Sequence, residues 1–116
     1  MSNLSNPFST GGGGTHFEVR VQASFVALML TGGFAPCLSN GRIAELMLQA
    51  KKDGFQTDDM IVVVQEEHSK EKRKMLCQIK HRVCFNGSDE NLPNILQAAW
   101  QDFNNPKLFS KSKDLI

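Results

Sequence analysis

The chain has little net charge and few cysteines, and each shortage excludes a class of protein. Thirteen Lys and Arg residues against 12 Asp and Glu residues leave a formal net charge of +1. A global basic field for nucleic acid is therefore excluded, and such binding would need a local patch. The three cysteines, Cys37, Cys77 and Cys84, contain no CxxC pair and are odd in number. We expect reduced thiols in a cytoplasmic protein, without a zinc site.

Targeting signals and long hydrophobic runs are also missing. The first ten residues carry no charge, unlike the basic start of a signal peptide. The longest apolar run, 25–38, is too short for a bilayer span and is broken by Gly32-Gly33 and Pro36. We expect no membrane partner. A length of 116 residues allows one domain at most.

The first part of the chain predicts a flexible segment followed by a helix. Residues 1–14 end in four glycines, which is typical of a flexible lead-in. From Thr15 a helix is predicted, because Thr15 and Glu18 have the spacing of a capping box. Gly32-Gly33 should end it. Its apolar stripe consists of Phe17, Val21, Phe25 and Leu28.

Three strands are predicted next. Residues 42–50 fit a helix through Ile43, Leu46, Met47 and Ala50, or a strand through Ala44, Leu46, Leu48 and Ala50, and we favour the strand. Residues 59–67 give the clearest strand, because a β-branched run at 61–64 is apolar on both faces. The polar turn HSKEKRK leads into a third strand at 74–85.

A second helix and an apolar tail complete the pattern. After a loop at 86–91, Pro93 lies in the first turn of the helix, and Asn104-Asn105-Pro106 ends it. The tail finishes on Leu115-Ile116, which we expect to begin a further strand. The predicted stripe of this helix consists of Leu92, Leu96, Ala99 and Phe103, with Trp100 packed beside it.

Acidic and basic side chains meet at one end of the predicted hairpin. Asp58 and Asp59 open the strand at 59–67, and strand parity places Gln78 and Lys80 on one face of the next strand, about 7 Å apart along the chain. Carboxylate, amide and main-chain oxygens suit a divalent cation. A neighbouring lysine can orient or deprotonate a water and offset charge in the transition state. Such a geometry suits metal-dependent phosphodiester hydrolysis.

Each of these residues also has a purely structural interpretation. Two aspartates before a strand commonly form a turn or cap, and Lys80 can simply be solvent-exposed on a half-buried sheet. His81 points to the opposite face and is predicted to be a packed core histidine rather than a base. The basic turn is usually only solvated, but it can touch DNA phosphates if it lies beside the site. Those cations are Lys70, Lys72, Arg73 and Lys74.

The order of these motifs resembles the PD-(D/E)xK restriction-endonuclease-like nucleases. The stretches that carry the resemblance are GGTHFEVRVQASF, TDDMIVVV, QIKH and ILQAAWQDFNN, which cover most of residues 13–105. Within this group the chain is most similar to the N-terminal nuclease domains of bacterial anti-phage effectors, of the CBASS and STAND NTPase kinds. The resemblance implies an α/β fold with a mixed sheet flanked by helices, in the order helix-strand-strand-strand-helix and then a further strand.

The resemblance also implies roles for individual residues. Asp59 is the metal ligand, with Asp58 as its rival, and Lys80 is the catalytic lysine. Gln78 stands where the family often has Asp or Glu, so the site has one formal negative charge fewer. Glu18 matches the helical acid. The expected cofactor is Mg²⁺ or Mn²⁺, and the expected substrate is double-stranded DNA.

The resemblance also implies a larger protein around this chain, and two rival functions stay open. In larger relatives a sensor or ATPase region follows the nuclease, so we expect a downstream region or its oligomer as a partner. Residues 15–116 would then be a nuclease domain cut short at its C-terminal end. The main rival is an inactive module of the same fold that binds DNA or a protein. A more distant rival is a small α/β adaptor without a nucleic-acid role.

Overall fold

The computed structural model describes residues 12–39 and 41–116, with side chains from residue 16 onward, and it has a mixed α/β architecture. The predicted order of helix, three strands and helix is confirmed. The elements are helix α1, Gly12–Leu30; strand β1, Gly41–Leu48; a 3₁₀ helix, Ala50–Asp53; strand β2, Met60–Glu66; strand β3, Lys72–Cys77; and helix α2, Asn91–Phe103.

The three strands form one antiparallel sheet in the order β1-β2-β3. Gly41 pairs with Glu66 at one end of β2, and Leu48 and Cys77 both pair with Met60 at the other. The predicted mixed sheet is therefore wrong for the three named strands. A parallel pairing does occur, as an isolated bridge between Met75 and Leu115.

Two apolar clusters lie on opposite faces of the sheet, because successive side chains of β2 alternate between its faces. Val21, Phe25 and Leu28 of α1 cover the first cluster. Phe103 of α2 packs against the second. The buried members of the first are Ala35, Leu38, Ile43, Met60, Val62 and Val64, and those of the second are Ala50, Phe55, Ile61, Val63, Leu76 and Phe109.

The predicted limits of α1 are half right. Its end is confirmed, because Gly32 adopts a left-handed φ of 72° and the N–H of Gly33 donates to the carbonyl of Leu28 at 2.7 Å. This 6→1 bond is the mark of a glycine C-cap. The cap at Thr15 is wrong, because helix already extends from Gly12. Of the predicted flexible segment, residues 1–11 lie outside the described residues.

The favoured strand at 42–50 is confirmed as β1, but its buried face differs from the predicted one. The register shifts between Ile43 and Glu45. A bulge of this kind inserts an extra residue and resets the alternation of side chains. Ile43 and Leu46 therefore both pack beneath α1, and Met47 packs on the opposite face.

Strand β3 is much shorter than the predicted strand at 74–85. It ends at Cys77, because the next inward-facing main-chain donor, the N–H of Ile79, bonds to a side chain of Asp59 instead of continuing the ladder. Phe85 is 86% exposed. The prediction that His81 is a core residue is wrong, since it is exposed, although its ring meets the Phe17 ring edge-on at 5.3 Å.

Helix α2 begins at Asn91, the last residue of the predicted loop, and ends where the sequence predicts, with Pro93 in its first turn and Asn104 after its last residue. The predicted apolar stripe is partly wrong, because Leu96 is 58% exposed, and so is the packing of Trp100, which is 67% exposed. The indole stacks on Phe103 with ring centroids 6.1 Å apart. The helix is therefore rotated so that Asp102, and not Leu96, faces inward.

Neither described helix combines the length and the apolar content that a bilayer-spanning segment requires.

Candidate active site

Asp59 lies immediately before β2, at the end of the sheet where β3 also stops. Its carboxylate oxygen Oδ2 accepts hydrogen bonds from the side-chain Nε2 of Gln78 and from the N–H of Ile79, each at 2.8 Å. These bonds join positions 19 and 20 residues apart in the chain. The structure therefore brings the predicted acid and the predicted glutamine into direct contact.

Gln78 and Lys80 line one small cleft between the end of β3 and the start of α2. The cleft has a volume of about 230 Å³, and Lys80 is exposed at its edge. Both residues lie after the end of β3, which stops at Cys77. They line the same cleft although the strand that was predicted to carry them does not extend this far. The other lining residues are Gln56, Asn91, Asn94, Ile95 and Ala98.

Glu18 approaches Asp59 from α1, on the other side of the sheet end. Nε2 of Gln22 donates to the main-chain carbonyl of Asp59 at 2.9 Å and to the Glu18 carboxylate at 3.3 Å. The Glu18 carboxylate also accepts from Nε2 of Gln49. The helical acid is thus connected to the main chain of Asp59 through Gln22 and does not touch the Asp59 carboxylate through these bonds.

Asp58 contributes its main chain to the same corner. Its carbonyl accepts a hydrogen bond from the N–H of Ala50 at 2.7 Å, and the residue is half-buried. The hydrogen bond to Gln78 belongs to Asp59. Of the two predicted acids, Asp59 is therefore the one whose carboxylate contacts Gln78.

The loop that precedes Asp58 is held by a buried carboxylate that the sequence did not reveal. Asp102 of α2 is 1% exposed, and it accepts from the N–H groups of Gln56 and Thr57, at 2.9 Å to Oδ1 and 2.6 Å to Oδ2 respectively. The last turn of α2 therefore holds the two residues that directly precede Asp58 and Asp59. The sequence does not predict this contact, because its two partners are 45 residues apart and form no local pattern.

Two glutamines of the site were also missed, although one left a signal. Gln22 lies beside Val21 within the apolar stripe of α1, one turn after Glu18, and is 8% exposed. A polar side chain on a buried helix face needs a hydrogen-bond partner. Gln49 adopts a left-handed φ of 54°. This conformation is uncommon for a residue other than glycine, and the sequence around Gln49 does not predict it.

The basic turn does not lie beside this site, so the condition set for its contact with DNA is not met. It joins the far ends of β2 and β3, and the seven residues of β2 separate it from Asp59 by about 20 Å. Two of its cations are also engaged there. Arg73 pairs with Glu66 at 2.7 Å, and Lys74 pairs with the buried Asp114 at 3.0 Å; Lys70 and Lys72 are exposed.

Cys77 reports on the electrostatics around Asp59. Burial, and then the nearby negative charge of Asp59, raise the pKa of this thiol to about 11. A negative charge disfavours a second one close to it. Cys37, Cys77 and Cys84 are free cysteines, and with this pKa the Cys77 thiol is protonated at neutral pH.

The site offers few oxygen ligands for a divalent cation. Within the described residues, no group of three or more His, Cys, Asp or Glu side chains converges in a way that could hold a metal ion. The groups that are present are the Asp59 carboxylate, the Gln78 amide hydrogen-bonded to it, and Glu18 behind them. A 180° rotation of the Gln78 side-chain amide would place its oxygen where its nitrogen now faces Asp59. Amide and carboxylate oxygens are ligands that suit Mg²⁺.

Comparison with protein-family models, with curated proteins and with solved structures found no match to this chain. Function must therefore be argued from the geometry of the site and from the order of its motifs.

Proposed function

We propose that this chain is a metal-dependent deoxyribonuclease, an endonuclease that hydrolyses phosphodiester bonds of double-stranded DNA. The observation that carries the proposal is the 2.8 Å hydrogen bond between the Gln78 amide and the Asp59 carboxylate. It joins the start of the central strand to the residue after β3, two positions before Lys80. The acid and the amide thus meet at one end of the sheet, and the amide lines a cleft that Lys80 also lines.

The main chain around β3 supports a restriction-endonuclease-like core as the framework. That core has a further strand after its second helix. Here Leu115, which follows α2, bonds to β3 in the parallel direction, with the Leu115 N–H on the Lys74 carbonyl and the Leu76 N–H on the Leu115 carbonyl, each at 2.9 Å. This bridge supports the proposal, because the resemblance implies a further strand after the second helix.

The residues of the site divide the chemistry between them. Asp59 and the Gln78 amide oxygen would hold Mg²⁺ or Mn²⁺, and Glu18, joined to the Asp59 main chain through Gln22, would add negative charge behind them. The bound cation would polarise the phosphoryl oxygens and acidify the attacking water. Lys80 orients or deprotonates that water and offsets charge in the transition state. Gln22 fixes the main chain of Asp59, so that the carboxylate keeps its direction.

We further propose that the chain serves as the effector domain of a cytoplasmic bacterial anti-phage protein. The basis is the resemblance in motif order, from Glu18 through Asp59 to the Gln-Ile-Lys of 78–80. In this setting a downstream sensor or ATPase region, or the oligomer it forms, would switch cleavage on. Cleavage should then be measured on the chain alone and in its full genomic open reading frame.

Plasmid cleavage with Mg²⁺, Mn²⁺ or EDTA tests the proposal. We expect Lys80→Ala to leave the fold intact, because Lys80 is exposed, and to lower the rate roughly a thousandfold, which corresponds to about 4 kcal/mol of barrier. Asp59→Ala should have a similar effect and Asp58→Ala a much smaller one. Lys70→Ala removes the same charge far from the site and is the matched control. Cleavage by the Lys80→Ala chain at the wild-type rate would refute the assignment.

One observation favours a second candidate, an inactive module of the same fold that binds DNA or a protein partner. The Asp59 carboxylate is already occupied by two N–H donors, and a neutral glutamine replaces a second acid. Calorimetric titration of Mn²⁺ separates the two candidates. Binding that is lost in Asp59→Ala supports the nuclease, whereas a chain that binds duplex DNA but no Mn²⁺ is the inactive module.

A further inference from the structure

The 3₁₀ helix Ala50–Asp53 stands at the same end of the sheet as the candidate active site and is rigidly attached to it. Just before it and at its start, the N–H of Gln49 donates to the carbonyl of Asp59 at 3.3 Å, and that of Ala50 donates to the carbonyl of Asp58 at 2.7 Å. Ala50 is fully buried. The main chain that carries residues 51 and 52 is therefore fixed relative to both aspartates.

The far side of this turn is equally well determined. Gly54 has a left-handed φ of 98°, and its N–H donates to the carbonyl of Lys51 at 3.0 Å. Phe55 then enters the core at 3% exposure. Such a turn fixes the main chain of its residues, and binding costs less conformational entropy when the contacting segment is already ordered.

Two adjacent lysines, Lys51 and Lys52, project from this turn, and both are exposed. None of the three ion pairs found among the described residues involves them. Those pairs instead neutralise Arg73, Lys74 and Lys113, at or beside the opposite end of the hairpin. The lysines thus give the site end two exposed cations outside those ion pairs, next to the acids Asp53, Asp58 and Asp59.

We propose that Lys51 and Lys52 bind the phosphate backbone of a DNA duplex beside the active site. The inference rests on the proposed function and adds the surface that holds the substrate. Lysines are suited to this role, because a flexible ammonium group neutralises a phosphate without reading the base sequence. The contact would hold the duplex next to Asp59 and Lys80, and it replaces the basic turn that the sequence had suggested.

Two double variants with equal charge changes test the inference. Lys51→Gln/Lys52→Gln removes the proposed contact, and Lys70→Gln/Lys72→Gln removes two exposed lysines at the far turn. Each chain is titrated into a fluorescently labelled duplex in EDTA, over a series of salt concentrations, after equal thermal melting has confirmed folding. The proposed contact should weaken binding by roughly tenfold to a hundredfold at 0.1 M salt and flatten the log–log salt slope by about two.

The outcomes separate this inference from the proposed function. A similar loss in both double variants would mean that only net charge matters and would overturn the inference. Unchanged binding by Lys51→Gln/Lys52→Gln, in a wild-type chain that binds and cuts DNA, would overturn it while leaving the nuclease in place. A wild-type chain that neither binds the duplex in EDTA nor cuts plasmid with Mg²⁺ would remove the proposed function and this inference together.

Discussion

Gln78 gives Asp59 a hydrogen-bond donor where a second acid would give a like charge. The amide nitrogen lies 2.8 Å from the Asp59 carboxylate. Two carboxylates at that distance would repel each other unless a cation or a proton lay between them. The glutamine therefore allows the site to keep its shape without metal, at the cost of one negative charge when a cation binds.

Gln78→Glu should exchange these two properties. Without metal the variant loses the hydrogen bond and gains repulsion, so the free energy of unfolding should fall by about 1–3 kcal/mol. With Mg²⁺ the second carboxylate becomes a ligand, so metal should stabilise the variant more than wild type and activity should be retained. Gln78→Ala should lose the hydrogen bond and bind metal more weakly. Thermal melting with and without Mg²⁺ measures all three chains. Equal Mg²⁺ stabilisation of wild type and Gln78→Glu would argue against a cation at this position.

Cys77 offers a readout of the Asp59 charge that does not depend on cleavage. Its folded pKa of about 11 lies above the ordinary 9.0. The associated stability is therefore fully present below pH 9 and is lost as the pH rises toward 11. Because the thiolate is the reactive form, alkylation in the folded chain should be slow at pH 8 and rise steeply above it.

The second cause of this shift, the Asp59 charge, can be removed in two ways. In a Cys37→Ser/Cys84→Ser background, Asp59→Asn should lower the pKa of Cys77 and speed its alkylation by iodoacetamide. Saturating Mg²⁺ should have the same direction of effect, because a cation offsets the carboxylate charge. Alkylation that responds to Asp59→Asn but not to Mg²⁺ would indicate that no cation binds beside Asp59.

At the scale of the elements, the sequence predicts what depends on local pattern. The β-branched run of β2 and the Gly32 end of α1 are local signals, and both are confirmed. The contact of Asp59 with Gln78 could also be anticipated, because an antiparallel hairpin brings the start of one strand to the end of the next. Element order and the central pair of the site were therefore within reach of sequence.

The remaining errors at this scale have a common physical origin in long-range contacts. Strand β3 ends early because a side chain of Asp59 takes the N–H of Ile79. The β1 bulge near Ala44 makes a strand bury residues at helix-like spacing. The inward face of α2 is set by Asp102, whose acceptors are satisfied by a loop 45 residues away. None of these can be derived from the periodicity of one segment.

At the scale of the whole molecule, the sheet has two ends, each with its own charged residues and its own connections. At the turn end, some cations are paired with acids, as in the pairs of Arg73 with Glu66 and Lys113 with Glu71, while Lys70 and Lys72 are exposed outside these pairs. At the site end, Lys51 and Lys52 are exposed beside the proposed acids. Exposed lysines therefore stand among acids at both ends, and binding of a polyanion at the site end would depend on the local position of Lys51 and Lys52 rather than on the net charge of the chain.

The connection between α2 and the site end passes through one buried carboxylate. Asp102 is the one buried residue of α2, at 1% exposure. It supplies acceptors for the N–H groups of both Gln56 and Thr57. The loop so held leads directly to Asp58 and Asp59. The stability of the fold and the position of the acids should therefore depend on the same side chain.

Asp102→Ala tests this dependence. Removing the carboxylate leaves two N–H groups without their acceptor, which should lower the free energy of unfolding by roughly 3 kcal/mol. Asp102→Asn keeps one carbonyl oxygen and should lose less. Asp53→Ala removes the same charge from an exposed position, and a change within about 0.5 kcal/mol is expected. Urea denaturation measures the three variants, and plasmid cleavage below the transition should fall in the order of lost stability. An Asp102→Ala chain that unfolds and cuts like wild type would show that α2 does not position the acids.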